Sequence, residues 1–270
     1  MTTFAFDVET AIEPDGPGRW LTTISSDWNI NTNPNGGYAA TPLLRAMAAE
    51  AEGHPDPVSL TTHYLRPALG DQDATIITEV ARRGRRTSTV RGSMHQDGKP
   101  RLESVATFAD LSAIPDGSEI DGSSLEIPPP DLAPVEQCVN RLELRQGVVL
   151  ALASRVEIRI DPRYAEPGVA GEAVTAGWIR LLDGRAPDSL TLPLFADSFP
   201  PSVFGLVGQT GWVPTIELTV HVRRRPAPGW IRARFVTREI AGATLIEDGT
   251  LWDETDRIVA RSRQLAMAVD

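Results

Sequence analysis

A short segment of this chain occurs twice, and that repeat limits the fold more tightly than any other feature of the sequence. Residues 59–68 read SLTTHYLRPA, and residues 217–227 read ELTVHVRRRPA. Leu60, Thr61 and His63 match Leu218, Thr219 and His221 at one constant offset, after which an extra arginine precedes the shared Pro–Ala. The flanks repeat as well. An apolar, small-residue segment comes before each copy, GGYAATPLLRAMAAEAEG from Gly36 and LPLFADSFPPSVFGLVG from Leu192. Each copy opens a set of three extended stretches rich in alternation and β-branched residues, with the turn clusters QDGK and WDETD marking hairpins. Alanine-rich helical spacing predicts a helix over 37–51, and Gly36 and Gly37 stand where a close-approach helix start is expected. One helix followed by a meander of long antiparallel strands is an α+β unit whose sheet wraps on its helix. Two such units in one chain imitate a symmetric dimer.

The repeats are separated by a stretch rich in Pro, Gly, Ser and acids, which has little capacity for a packed core. The expected organisation is a first unit at 1–112, a linker at 113–137 and a second unit at 138–270. The formal net charge of −10 speaks against a nucleic-acid partner, which calls for a basic stripe, though a local basic patch can still meet an anion. Cys138 is the single cysteine, so no internal disulfide forms, as suits a reducing compartment. The first residues carry neither a basic region nor an apolar run, and nowhere do uninterrupted apolar residues approach the length of a membrane span. A cytoplasmic protein without a membrane span is expected.

Several chemistries lack their residues. There is no GxSxG turn to carry a nucleophilic serine. Cys138 follows the Pro-rich linker, away from the repeated elements, and reads as a structural thiol. The histidines at 54, 63, 95 and 221 show no metal-ligand spacing, so neither a metal nor another cofactor is expected. His63 and His221 are repeat mates, which favours a shared structural role.

The pattern WNINTNPNGGYAA from Trp28, the THYLRP run ending at Pro67, and the FADSF and RQLAMA segments resemble the acyl-CoA thioesterase II family. The resemblance implies a tandem, or double, hotdog: two fused units, each a long helix wrapped by a curved antiparallel β-sheet. It implies a catalytic Asp in the second hotdog helix, a Thr at the start of the next strand and a Gln in the last strand. Those places are held here by Asp197, Thr215 and Gln264. The first half carries Ala39–Ala40 roughly where the second has Asp197, and Phe108 near the place of Gln264, so one site per chain is implied. The chain departs from the family in the displaced His63, which receives no catalytic role, and in Pro200–Pro201, which an uninterrupted helix excludes.

The function implied is hydrolysis of a small-molecule acyl-CoA to a free acid and CoA by an Asp-activated water, with the Gly36 and Gly37 amides at the thioester carbonyl. Two alternatives stand beside it: a non-catalytic acyl-CoA or acyl-carrier binding protein, and a hotdog hydratase or dehydratase. The latter usually works through a helical His, and neither helix here offers one. Homo-oligomers through sheet edges remain open. Taken from the residues alone, Asp197 is a helix cap or a carboxylate set in the apolar stretch between Phe195 and Phe199. Gln264 is a core amide or a site residue, and strict alternation groups Thr215 with Glu217, Thr219 and His221 on a polar face. The basic run Arg223, Arg224 and Arg225 is a solvated strand end or a contact for CoA phosphates, with Arg82, Arg83, Arg85 and Arg86 as a rival patch.

Overall fold

The computed structural model describes residues 3–113, 119–120, 123–144, 148–208 and 213–267. Positions 114–118 and 121–122 of the expected linker, and Ala268 at the end of the last extended run, lie outside the described residues. The first half contributes β1 (Glu13–Pro14), β2 (Arg19–Ile24), β3 (Asp56–Tyr64), β4 (Gln72–Arg83), β5 (Ser88–Gln96) and β6 (Lys99–Ala109). The second contributes β7 (Val139–Asn140), β8 (Val156–Ile160), β9 (Val174–Leu181), β10 (Thr215–Val222), β11 (Ile231–Ala241), β12 (Thr244–Trp252) and β13 (Ile258–Met267). These strands form one continuous sheet in the order β1-β2-β4-β5-β6-β3-β10-β13-β12-β11-β9-β8-β7.

Counted outward from the middle, β3-β6-β5-β4-β2 in the first half is matched by β10-β13-β12-β11-β9 in the second. The seam is the antiparallel pair β3–β10, and there repeat mates meet. Thr61 lies opposite Thr219, and their hydroxyls are hydrogen-bonded at 2.8 Å. A residue that faces its own copy is what a pseudo-twofold axis between them requires.

Four α-helices accompany the sheet among the described residues: α1 (Ala5–Glu9), α2 (Gly36–Glu50), α3 (Leu192–Ala196) and α4 (Phe204–Val207). Every residue at 37–44 of α2 is buried, as expected of a helix apolar all round and enclosed by its sheet. Asn35 is its N-cap, the side-chain oxygen accepting the Tyr38 N–H at 2.9 Å. The expected long helix is present in the first half and is corrected in the second. There α3 runs for five residues and α4 for four, with Pro200–Pro201 between them. Two adjacent prolines remove two backbone donors and push the residue before them out of helical geometry. Asp197, expected within a helix, is therefore the C-cap of α3.

One buried cluster joins the halves, holding Tyr38, Leu43, Met47 and Phe108 together with Leu194, Phe195 and Phe235. Trp28 and Tyr38 stack within it at 4.7 Å. The buried Cys138 thiol donates to the Ala133 carbonyl at 3.4 Å. Arg225 pairs with the buried Asp56 at 2.7 Å and Arg224 with Glu126 at 3.3 Å, so these arginines serve the packing of the chain. No helix among the described residues is long and apolar enough to cross a membrane.

Candidate active site

Two glycines determine how the halves meet around the site. A Cβ at position 37 would lie 2.4 Å from the Pro193 carbonyl oxygen and 2.7 Å from Leu194 Cα. Only glycine lets the start of α2 pack directly on the backbone of α3. A Cβ at position 36 would lie 3.0 Å from Asp197 Oδ2 and 2.9 Å from Tyr64 Cε1. This close crossing sets the C-cap of α3 against the N-terminus of α2.

The result is a carboxylate held by a helix start. Asp197 Oδ2 accepts the Gly37 N–H at 3.0 Å and the Asn35 side-chain amide at 2.9 Å. The same Asn35 amide donates to the Asp197 carbonyl oxygen at 2.7 Å. Asn35 thus caps α2 with its oxygen and grips Asp197 with its nitrogen. The Gly37 amide donates to Asp197 and the Gly36 amide lowers the pKa of the same carboxyl, while both are the amides expected at a thioester carbonyl. The unpaired N–H groups of a helix start, with the positive end of its dipole, bind the nearest anion, and here that anion is a side chain of the other half. Burial pushes the Asp197 carboxyl up to about 6, against the opposing pull of the two glycine amides, Arg141 and Asn35.

Thr215 and Gln264 approach from the sheet. They lie on the adjacent strands β10 and β13, and the Gln264 amide donates to the Thr215 hydroxyl. The polar face that alternation gave Thr215 is corrected by a bulge between Thr215 and Glu217, which breaks the alternation at the strand start. Bulges re-aim side chains in this way, and Thr215 lines the same cavity as Asp197 and Gln264. The register also refines the comparison of the halves. Leu60 opposes Ala106 where Leu218 opposes Gln264, so the first-half counterpart of Gln264 is Ala106, and Phe108 is a core residue.

The cavity has a volume of about 320 Å³ and opens beside Gly36, Asp197, Thr215 and Gln264. Gly37 lies behind this wall, and the exposed His63 and His221 reach no part of it. Neither the run 223–225 nor the patch 82–86 lines it. Its apolar walls include Leu65, Phe199, Phe204 and Leu245. Such a volume is at the lower end of the roughly 300–1,000 Å³ of small-molecule sites, which are mostly apolar with a few placed polar groups.

Further polar residues line it without having been singled out by sequence, among them Asn35, Tyr64, Arg141 and Glu247. Asn35 carried a signal, an Asn directly before a small and apolar helical run. Glu247 carried one too, because alternation in β12 sets it inward with Leu245 and Leu251. Glu247 opposes Gln264 across the β12–β13 pair and accepts the Ser202 N–H at 2.6 Å. Burial, with the Asp197 and Asp248 charges, pushes its carboxyl up to about 7 although Ser202 pulls the other way. Arg141 is buried and donates to the Ser198 carbonyl; burial draws its guanidinium down to about 10 while the Asp197 charge opposes this. No signal near the linker marked it. No group of three or more His, Cys, Asp and Glu that could hold a metal forms among the described residues.

The site therefore offers a carboxylate with a proton affinity close to neutrality, a hydroxyl and an amide beside it, and an apolar chamber. Comparison with known proteins gives the family. Residues 128–268 match the model of the acyl-CoA thioesterase C-terminal domain, and residues 24–109 match that of the N-terminal domain. A thioesterase II candidate from Thermobifida fusca is 30% identical, with the alignment covering 100% of this chain and 99% of that one at a TM-score of 0.86. A protein of unknown function with a hotdog fold from Alicyclobacillus acidocaldarius is 21% identical over 98% of each chain, at a TM-score of 0.84. An uncharacterised protein of Mycobacterium tuberculosis is 28% identical over 90% of this chain and 89% of its own length. The fold is a hotdog fold, and the chain belongs to the acyl-CoA thioesterase family, a family of acyl-CoA thioester hydrolases.

Proposed function

We propose that the cavity between the halves hydrolyses an acyl-CoA thioester to a free acid and CoA by means of a water molecule that Asp197 deprotonates and Thr215 and Gln264 orient. The observation that carries this reading is the convergence on one cavity of Asp197 from the end of α3, Thr215 from the start of β10 and Gln264 from β13. A carboxylate whose pKa lies near the working pH is suited to take up and return a proton within one turnover, an effect worth about 10²–10⁴-fold. The Thr hydroxyl and Gln amide each hold donors and acceptors that bind water without being consumed.

The step balances as follows. The water oxygen bonds to the thioester carbon as its proton passes to Asp197, and the carbonyl electron pair moves onto oxygen. That pair then returns, the C–S bond breaks, and the CoA thiolate leaves and takes the proton from Asp197. The apolar walls around Leu65, Phe199 and Leu245 suit an acyl group. We assign 1–112 and 138–270 as the two units and 113–137 as their connection.

The experiment is a thiol-release assay over a panel of acyl-CoA chain lengths, run on the wild type and Asp197→Asn with thermal melts of both. Wild-type turnover with at least about a 10²-fold loss in a folded variant is expected. Full activity of the variant, or tight acyl-CoA binding by a wild type that releases no thiol, overturns the reading.

A further inference from the structure

Attack on a thioester places negative charge on the former carbonyl oxygen, and a preorganised donor aimed at that charge is usually a large part of catalysis. The obvious donors here are engaged, since the Gly37 N–H and the Asn35 amide both bind the Asp197 carboxylate. Among the described residues that line the cavity, one buried side-chain polar atom is without a partner. The Tyr64 hydroxyl is buried and has no hydrogen-bond partner among the described residues. Buried polar atoms are nearly always paired, so an unpaired one at the wall of a site points to a partner that arrives with the ligand.

Its placement suits that role. The point 3.0 Å from Asp197 Oδ2 where a Cβ of residue 36 would fall is also 3.0 Å from Tyr64 Cζ. Gly36 therefore separates the phenol ring from the carboxylate by little more than one atom. Burial, with the Asp197 and Glu217 charges, holds the phenol well above its ordinary pKa, so it remains a protonated donor. The repeat supplies an internal comparison. Leu60 and Leu218 are mates, so the counterpart of Tyr64 is Val222, which is buried and has no hydroxyl. The hydroxyl is present only in the half that faces Asp197.

We propose that Tyr64 is a catalytic residue whose hydroxyl donates a hydrogen bond to the thioester carbonyl oxygen and to the oxyanion formed from it. The inference rests on the thioesterase reading of the same cavity. The Tyr64 O–H bond stays intact throughout: it stabilises the electron pair on oxygen, while Asp197 carries the proton of the attacking water.

Tyr64→Phe removes one oxygen and keeps the ring against Gly36. With an acyl-CoA that the wild type cleaves, kcat is expected to fall about 10²–10³-fold, with KM rising by no more than about tenfold and melting temperature little changed. Two non-hydrolysable probes separate carbonyl recognition from a structural effect: a ketone analogue of acyl-CoA with CH₂ in place of sulfur, and an S-alkyl-CoA thioether with no carbonyl. Loss of one hydrogen bond should weaken the ketone about tenfold and leave the thioether unchanged. Wild-type kcat in the variant, or equal weakening of both probes, overturns the proposal. If the wild type cleaves no acyl-CoA, the thioesterase reading fails, and the two probes still decide whether Tyr64 binds a carbonyl.

Discussion

The carboxylate of Asp197, in the second half of the chain, accepts the Gly37 N–H of the first half at 3.0 Å. The site is therefore composite: one unit supplies the helix start that holds the carboxylate, and the other supplies the carboxylate, Thr215 and Gln264. In the proposed mechanism each half alone is therefore chemically incomplete.

Asp197 has a carboxyl raised to about 6, with burial as the main cause. In the proposed mechanism the ionised form is the base, so kcat/KM should rise with pH through an acid limb near 6. Stability should move the other way. A carboxyl raised by folding contributes stability that is complete below its ordinary value of 3.8 and is lost as pH climbs to about 6. Relative to Asp197→Asn, the wild type should therefore lose melting temperature across that window. Parallel melts between pH 4 and 7 test the sign, and a wild type that gains on the variant as pH rises would contradict it.

Glu247 couples to this titration, because the Asp197 charge is among the causes, after burial, that raise its carboxyl to about 7. The coupling is mutual, since like charges disfavour each other's ionisation. Asp197 ionises first, near 6, while Glu247 is still mostly protonated, so the repulsion falls on the later ionisation of Glu247. Glu247→Gln is therefore expected to leave the acid limb of kcat/KM near 6 and to keep most of the plateau activity. A limb moved to lower pH would show that Glu247 is already ionised where Asp197 titrates.

The tandem plan was legible because the repeated segment lies on the seam, where Thr61 meets Thr219 and each copy must satisfy the same packing. Asp197 and Gln264 were legible as polar residues set among apolar neighbours. Other features depend on contacts that no local pattern encodes. The Gly36 and Gly37 amides could be assigned to a helix start, but their target lies 160 residues from Gly37 along the chain. Thr215 was hidden by a bulge that alternation cannot register. Tyr64 looks like an ordinary strand aromatic, and only its missing partner sets it apart. The short second-half helix is the reverse case: Pro200–Pro201 announced it, and the resemblance to an uninterrupted helix outweighed that local signal.

The two glycines should separate stability from activity. At position 37 an added Cβ meets backbone of α3 at 2.4 Å, which cannot move aside without shifting the helix. Gly37→Ala should cost about 1–3 kcal/mol, the range typical of overpacking, read from denaturant unfolding. At position 36 the first atoms met are the Tyr64 ring and the Asp197 carboxylate, which are side chains. Gly36→Ala should therefore retain more stability than Gly37→Ala and lose more of its kcat. Equal stability losses at both positions would contradict this division.

Thr215 and Gln264 should act as one unit. The Gln264 amide donates to the Thr215 hydroxyl, so each fixes the rotamer of the other beside the proposed water. Thr215→Val removes the acceptor with little change of shape, and Gln264→Met removes the donor at similar length. Either change leaves the remaining partner free to turn away, so each single variant should lower kcat by about tenfold or more, in line with the coupling expected of contacting groups. The double variant should then fall little below the weaker single one, because the first substitution has already released the second residue. A double-mutant cycle of kcat for these four proteins tests this. Strictly additive losses would mean that Thr215 and Gln264 bind the water or the substrate separately, and the hydrogen bond between them would then carry no part of the chemistry.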